Sequence, residues 1–326
     1  MSYLATGLLL SSVGGRFCVR LFATPKGPLS GKTIVAKGRG ALHRELDLLA
    51  GDHVIVSYDD SSFCEQDGEI LPDPNASGIV IEKILERKSA LIRPPVANLD
   101  FLFAALAVAS PEPDLTTFDK LLAIAEYHEI EPVVLLTKCD LDGKRARELA
   151  ALYRKAGFIV FCLGEGEDFD FAALREFIKL QLAGKLACLA GASGIGKSTL
   201  LNKLFPELHL ETGDLSQKIA RGKNTTRRVE LYPISEDSDC GYLADTPGFT
   251  LLDFERFDFF SKDDLPYTFR EFAPYLAKWS CRYTKCSHTK EEGCAIVDAV
   301  KRGEISKSRH ASFCALYEVL KKKKEW

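Results

Sequence analysis

The nine residues 191–199 constrain the fold of this chain more than any other feature of its sequence. They fill every fixed position of the pattern G-x-x-x-x-G-K-[ST]. An apolar run at 185–190 predicts a strand before them, and 199–204 predicts the start of a helix after them. In that context, glycines let backbone N–H groups point at phosphate oxygens, and the helix N-terminus adds positive potential. The sequence therefore predicts a phosphate-binding loop in an α/β fold.

Each position of this loop is a candidate nucleotide contact. The candidates are Gly191, Ala192, Ser193, Gly194, Ile195, Gly196, Lys197, Ser198 and Thr199. Lys197 is expected to reach the β- and γ-phosphates, and the Ser198 hydroxyl is expected to bind Mg²⁺.

A second motif follows the predicted strand 133–136. It consists of Thr137, Lys138, Cys139 and Asp140, and it is similar to the Asn-Lys-x-Asp motif of GTPases, with threonine in place of asparagine. The Asp140 carboxylate can accept hydrogen bonds from N1–H and the exocyclic amine of guanine, whereas adenine has no donor at N1. The aliphatic stem of Lys138 can lie over the base. Together with the complete phosphate loop, this tetrapeptide predicts a site for guanine.

Two further segments fit a magnesium-dependent nucleotide switch. A predicted strand ends in Asp245-Thr-Pro-Gly248, 54 residues after Gly191. Asp245 is expected to hold Mg²⁺ through water, and the Gly248 N–H to contact the γ-phosphate. The basic stretch 221–228 contains Thr225 and Thr226, and Thr226 is expected to complete the Mg²⁺ shell. A solvated basic loop remains the alternative for this stretch.

Short predicted strands separated by glycine and proline fill residues 1 to about 90, which indicates a small β-barrel. A stiff Arg-Pro-Pro segment at 93–95 marks the end of this region.

The net charge is only −3, so any nucleic-acid contact has to come from local basic patches. The longest apolar run, 101–109, is too short for a membrane span, and we expect no membrane partner.

Four soft metal ligands lie within fourteen residues near the C-terminus. They are Cys281, Cys286, His288 and Cys294. Three thiolates and one imidazole would close a tetrahedral structural zinc site with no position left for catalysis. Two disulfides are the alternative, which the single histidine and the scattered cysteines elsewhere disfavour. The segment from Lys278 to Trp326 contains 12 Lys/Arg and 6 Asp/Glu. This excess of positive charge is enough to attract RNA phosphates.

The order of the motifs is unusual, because Asp140 precedes Gly191 whereas the base-reading motif of an ordinary GTPase follows the phosphate loop. The permutation, the N-terminal barrel and the Cys/His cluster together resemble the RsgA (YjeQ) family of small-ribosomal-subunit-dependent GTPases over nearly the whole chain. The expected architecture is a multidomain α/β protein: an OB-like barrel (1–90), a circularly permuted P-loop GTPase domain (91–255) and a helical zinc-binding domain (256–326).

The resemblance implies a cytoplasmic enzyme that hydrolyses GTP to GDP and phosphate with Mg²⁺ and carries one structural zinc ion. It also implies stimulation by the small ribosomal subunit, a role in late maturation of that subunit, and rRNA contacts from the flanking domains. We expect a monomer. The residues expected to act in hydrolysis are Lys197, Asn224, Asp245 and Gly248.

Two departures from the family pattern affect these expectations. Asn224 stands where the family often has histidine, and an amide can orient water but cannot titrate near neutral pH. Cys162 and Leu163 occupy the place of a small Ser-Ala-like turn at the guanine oxygen, so contact there is expected through the main chain.

Phe249, which follows Gly248, cannot orient water as the glutamine of Ras-like enzymes does, so slow hydrolysis in isolation is expected.

Two alternative functions remain open at this point. A P-loop ATPase or small-molecule kinase would share the phosphate loop, although Asp140 argues against it. An rRNA-binding assembly scaffold with weak or vestigial hydrolysis would share the flanking domains, although intact Lys197, Ser198 and Asp245 argue against it.

Overall fold

The structure is a computed structural model. It describes residues 1–23, 27–39, 48–66, 69–73, 78–92, 95–166, 169–205, 229–235, 241–245, 261–278 and 281–322. The chain divides into two compact units, each assembled from separate segments: 1–100, 181–188 and 211–248 in the first, and 101–180, 189–210 and 249–326 in the second. The domain limits at residues 90 and 255 remain predictions.

Five strands of the first unit close into a barrel in the order β1-β2-β3-β7-β4. These strands are β1 (Ser2–Val13), β2 (Arg16–Leu21), β3 (Thr33–Gly38), β4 (His53–Asp59) and β7 (Val80–Ile84). Neighbouring strands are antiparallel except for the β3–β7 pair. Alternate residues of β4 are buried, as the period of two requires, and they join a core that includes Leu9, Val19 and Ile81.

Two short hairpins accompany the barrel in the first unit. Strands β5 (Phe63–Gln66) and β6 (Glu69–Pro72) form one, inserted in the chain between β4 and β7. Strands β8 (Ala90–Ile92) and β9 (Pro95–Ala97) form the other. The closed five-stranded barrel confirms the OB-like N-terminal region predicted from the strand spacing.

A six-stranded sheet has the order β12-β11-β10-β13-β15-β14. Its strands are β10 (Phe101–Ala107), β11 (Glu131–Thr137), β12 (Ile159–Cys162), β13 (Leu186–Gly191), β14 (Glu230–Pro233) and β15 (Tyr242–Asp245). Pairs β10–β11, β11–β12 and β13–β15 are parallel, and the edge strand β14 is antiparallel to β15. Every residue of β10 and β13 is buried, as expected where helices cover both faces.

Helices of the second unit alternate with these strands. They are α1 (Leu115–Tyr127), α2 (Gly143–Lys155), α3 (Phe171–Gln181) and α4 (Lys197–Leu204). Aspartates cap the first two: the Asp114 side chain accepts from Thr117 N at 3.1 Å, and Asp142 accepts from Arg145 N at 2.9 Å. The observed alternation confirms the predicted α/β class.

The C-terminal part of the second unit is helical. It contains α5 (Ala273–Leu276), α6 (Ala295–Lys301) and α7 (Lys307–Lys322). Phe313 on α7 packs against Phe269 and Phe272, with ring centroids 5.3 and 4.9 Å away. Leu316 and Leu320 continue the same buried face, which agrees with the helical periodicity of the sequence. No helix within the described ranges has both the length and the apolar character needed to cross a bilayer.

A buried ionic network joins α7 to α1 within the second unit. The Arg309 guanidinium, 1% exposed, donates to Asp119 Oδ1 at 2.6 Å and to Glu271 Oε1 at 2.8 Å. The Tyr153 hydroxyl also donates to Asp119, at 3.0 Å. Because a buried charge is costly unless its partners surround it, this network favours one position of α7 on α1.

Candidate functional site

The phosphate loop lies between β13 and α4, where the motif predicted it. A Cβ atom on Gly191 would stand 2.6 Å from the Ala105 carbonyl oxygen, so only glycine lets the end of β13 approach β10 this closely. Gly196 caps α4 with a φ of +89°, in the left-handed region that favours glycine. Backbone geometry therefore accounts for glycine at positions 191 and 196 without reference to a bound ligand.

Lys197, the first residue of α4, folds back over this loop. Its ammonium group donates to the carbonyl oxygens of Gly191 at 2.7 Å and Ala192 at 2.8 Å. Burial lowers the pKa of Lys197 to about 8. The Lys197 side chain is therefore positively charged at neutral pH and is bonded to two neutral carbonyl oxygens. Anionic phosphate oxygens of a nucleotide could replace these two acceptors.

Hydrogen bonds join the base-reading loop, residues 137–140, to the phosphate loop. The buried Thr137 hydroxyl donates to the Ile195 carbonyl at 3.0 Å, and the Lys138 ammonium donates to the Gly194 carbonyl at 2.8 Å and to Ser110 O. Both loops belong to the second unit. The phosphate-binding and base-binding candidates are therefore held in one rigid arrangement.

Asp140 is exposed at the tip of the base-reading loop. Its Oδ1 accepts a hydrogen bond from the Glu165 amide at 3.1 Å, and a Cβ on Gly164 would stand 2.8 Å from the same oxygen. The Cys139 amide donates to the Leu163 carbonyl at 3.0 Å. Residues 162–165, which we call the facing loop, thus lie directly against the predicted guanine-reading carboxylate.

The Cys/His cluster has the dimensions of a zinc site. All four ligand atoms of Cys281, Cys286, His288 and Cys294 lie within 4.8 Å of one another. His288 Nδ1 is 3.6 Å from Cys281 Sγ and 3.4 Å from Cys294 Sγ, and these two sulfurs are 3.9 Å apart. A tetrahedral zinc ion with ordinary bond lengths requires separations of about 3.5 Å for S···N and about 3.8 Å for S···S. The donor set and its spacing therefore fit zinc.

The segment that carries these ligands, residues 281–294, has no helix or strand. Glu291 holds it: its carboxylate accepts from Ser287 N at 2.8 Å and from the amides of Thr289 and Lys290 at 3.1 Å. Burial opposes the charge of Glu291, but hydrogen bonds from the Ser287 hydroxyl and from backbone amides outweigh it and lower its pKa to about 2. His310 on α7 bonds to the His288 carbonyl, 2.8 Å away.

Comparison with known proteins gives one consistent result. The family model for the RsgA GTPase matches residues 84–255. The chain belongs to the RsgA GTPase family. "Small ribosomal subunit biogenesis GTPase RsgA" of Alkaliphilus metalliredigens is 36% identical over 292 residues, covering 89% of this chain and 91% of that protein. The protein of the same name from Clostridium perfringens strain 13 is 37% identical over 314 residues, 96% of each chain.

Two solved structures of this family share the fold over nearly the whole length. YjeQ from Thermotoga maritima has a TM-score of 0.76 and 28% identity, covering 99% of this chain and 100% of that one. YloQ, a circularly permuted GTPase, has a TM-score of 0.73 and 25% identity, covering 99% and 98%. The permuted order inferred from Asp140 and Gly191 is thus a property of this family.

Several candidates of this family member lie outside the described residues, namely Asn224, Thr225, Thr226 and Gly248. For Ser198 and Asp245 the backbone alone is described. Ser198 is the second residue of α4, and Asp245 is the last residue of β15, the parallel neighbour of β13. Their roles remain predictions.

Two residues with clear structural roles escaped the sequence reasoning. Glu291 lies between two predicted zinc ligands, and a carboxylate inside a ligand cluster was an available signal for it. Gly164, whose lack of a side chain makes room for Asp140, is one glycine among 24 and had no such signal.

Proposed function

We propose that this chain is a GTPase that hydrolyses GTP to GDP and phosphate and acts in biogenesis of the small ribosomal subunit. The observation that carries the proposal is the direct bonding of Thr137 and Lys138 to the phosphate loop. This bonding holds a guanine-selective carboxylate and a phosphate-binding lysine in one fixed relation. The names of the curated relatives supply the biological context.

In this proposal each residue has one task. Asp140 accepts hydrogen bonds from guanine, and Lys138 covers the base. The amides of residues 192–199 and the Lys197 ammonium stabilise the negative charge that develops on the phosphates. Asn224 orients water, and Gly248 contacts the γ-phosphate.

Magnesium fits the proposed donors, because Ser198, Thr226 and Asp245 offer only oxygen atoms, which this cation prefers. Bound there with GTP, it would neutralise charge on the phosphates. Zinc at the four-ligand cluster would be structural, since those ligands leave no open position for water.

We propose contacts with ribosomal RNA from the C-terminal part of the chain. Tyr267 and Tyr283, 68% and 50% exposed, line a cavity of about 480 Å³ together with Lys262 and Lys285, next to the zinc ligands. Tyrosine rings with adjacent cations suit unpaired bases and phosphates. As a protein acting on ribosomal subunits, it would work in the cytoplasm, as a monomer.

The decisive experiment is GTP hydrolysis by the purified chain with and without small ribosomal subunits, using Lys197→Ala as control. We expect slow turnover alone and strong stimulation by subunits, lost in the variant. Equal turnover in both conditions would remove the ribosome from the proposal. RNA binding with no turnover in either would favour the scaffold alternative, and equal affinity for ATP and GTP would contradict the role of Asp140.

A further inference from the structure

Two cysteines meet at the base-reading loop. Cys139 is the third residue of that loop, and Cys162 ends β12 and begins the facing loop. The Leu163 amide donates to the Leu136 carbonyl at 2.7 Å, and the Cys139 amide donates to the Leu163 carbonyl at 3.0 Å. This pairing places the two thiols close enough for each to shift the pKa of the other. The main chains of the two cysteines are therefore neighbours where β11 and β12 end, which is the first requirement of a disulfide.

The two thiols differ in exposure and in charge. Cys139 is 3% exposed and donates to the Leu136 carbonyl at 3.3 Å, whereas Cys162 is only half-buried. The neighbouring Cys139 thiol, helped by the Arg154 guanidinium, outweighs partial burial and the Asp170 carboxylate and lowers the pKa of Cys162 to about 7. More of Cys162 than of an ordinary cysteine is therefore the reactive thiolate at neutral pH.

We propose that Cys139 and Cys162 are a redox-active pair, and that their oxidation to a disulfide weakens guanine nucleotide binding. The effect on binding rests on the proposed function, whereas disulfide formation does not. Neither cysteine has a role in the GTPase reaction proposed above beyond the main-chain contacts of its loop.

The oxidation requires a hydroperoxide as the oxidant. The Cys162 thiolate attacks the peroxide oxygen and releases alkoxide, or hydroxide in the case of hydrogen peroxide, which leaves a sulfenic acid. The Cys139 thiol then attacks this sulfur, forms the S–S bond and releases water. Two thiols lose two electrons in total, and the hydroperoxide gains them. A dithiol reductant reverses the step.

The disulfide would move the facing loop against Asp140. An S–S bond of about 2.05 Å is shorter than any non-bonded contact between two sulfurs, so the two side chains must turn toward each other, and the bond then ties the facing loop to the base-reading loop. Asp140 follows Cys139 in the chain, and its carboxylate accepts from Glu165 in the facing loop. A recognition group has to stay within about 0.5 Å of its productive position.

The test uses the full chain with zinc bound. Protein treated with stoichiometric hydrogen peroxide is digested without reduction, and the linked peptides are mapped by mass spectrometry. The affinity for a fluorescent GDP derivative is measured before oxidation, after it, and after re-reduction with a dithiol, while zinc release is followed with a colorimetric chelator. Cys162→Ser is the test variant, and Cys64→Ser, which removes a half-buried cysteine of β5, is the control.

We expect a peptide linked through Cys139 and Cys162, and an affinity loss of about tenfold or more that re-reduction restores. Cys64→Ser should behave like the wild type, and the affinity of Cys162→Ser should be the same before and after peroxide. Absence of the linked peptide would overturn the pair, and this mapping needs no variant. A linked peptide without an affinity change, or an equal loss in Cys162→Ser caused by oxidised zinc ligands, would overturn the effect on binding. Reduced protein that fails to bind the GDP derivative would overturn the proposed function and that effect, while the mapping would still decide the redox pair.

Discussion

The nucleotide loops and the zinc segment of the second unit are built in opposite ways. The phosphate loop connects β13 to α4, and the base-reading loop follows β11, so regular elements position both before any ligand arrives. Residues 281–294 have no helix or strand and are organised around four ligand side chains and the Glu291 carboxylate. The comparison teaches that a ligand can either use a geometry that the backbone has already formed or supply that geometry itself.

Zinc removal should have the largest effect, because the zinc segment is expected to depend on its metal and the nucleotide loops are not. Binding of a structural zinc ion contributes about 10–16 kcal/mol in small zinc domains, so its loss should unfold the segment locally. Hydrogen exchange measured with and without a strong chelator should show lost protection at Arg282, whose amide donates to Gly293 O at 2.9 Å. Protection in β10 and β13 and the affinity for GDP should stay within about twofold. Collapse of the sheet on zinc removal would contradict the separation of the two sites.

Lys197→Ala tests the nucleotide side of the comparison. A charge-assisted hydrogen bond contributes about 1.5–3 kcal/mol, so losing this ammonium group should weaken GTP binding by about 10- to 150-fold. Because the alanine fits α4, the thermal unfolding midpoint should barely change. Lys203→Ala, on the same helix and exposed, is the matched control and should bind GTP like the wild type in a fluorescence titration. A large fall in the unfolding midpoint of Lys197→Ala would mean that the loop depends on its lysine.

Glu291→Gln tests whether the Glu291 carboxylate organises the zinc segment. The amide keeps one acceptor oxygen but loses the charge that holds three backbone amides, and partial exposure screens the effect to about 1 kcal/mol. We expect faster zinc transfer to a chelator and unchanged nucleotide affinity. Glu292→Gln removes an exposed carboxylate beside it and serves as the control. If both variants released zinc at the same rate, Glu291 would have no organising role.

The smallest effect is expected from Thr137→Val. This nearly isosteric change removes the bond to the Ile195 carbonyl, at a cost of about 0.5–1.5 kcal/mol. GTP and GDP should both bind about two- to tenfold more weakly, with zinc content unaltered. Thr137→Ser keeps the hydroxyl and should retain most of the affinity. A loss confined to GTP would indicate that the bond acts on the γ-phosphate region instead of joining the two loops.

Much of this architecture followed from the sequence because the decisive patterns are local. The phosphate-loop pattern fills nine consecutive residues, and the ligand spacing at 281–294 lies within a single segment. The permuted order required only that Asp140 and Gly191 be compared along the chain. Short strand-like segments separated by glycine and proline identified the barrel for the same reason.

Tertiary structure alone decided which side chains contact each other across long stretches of the chain. The bond from Thr137 to Ile195 spans 58 positions, and the ion pair from Arg309 to Asp119 spans 190. In the sequence, Arg309 was one basic residue of a basic tail, because a charge shows no burial until its partners are known. The proximity of Cys139 to Cys162 has the same origin, since a buried thiol and a half-buried thiol become neighbours only where parallel strands end side by side. Sequence periodicity reports the face on which a side chain lies, whereas only strand order and register determine which side chain it meets.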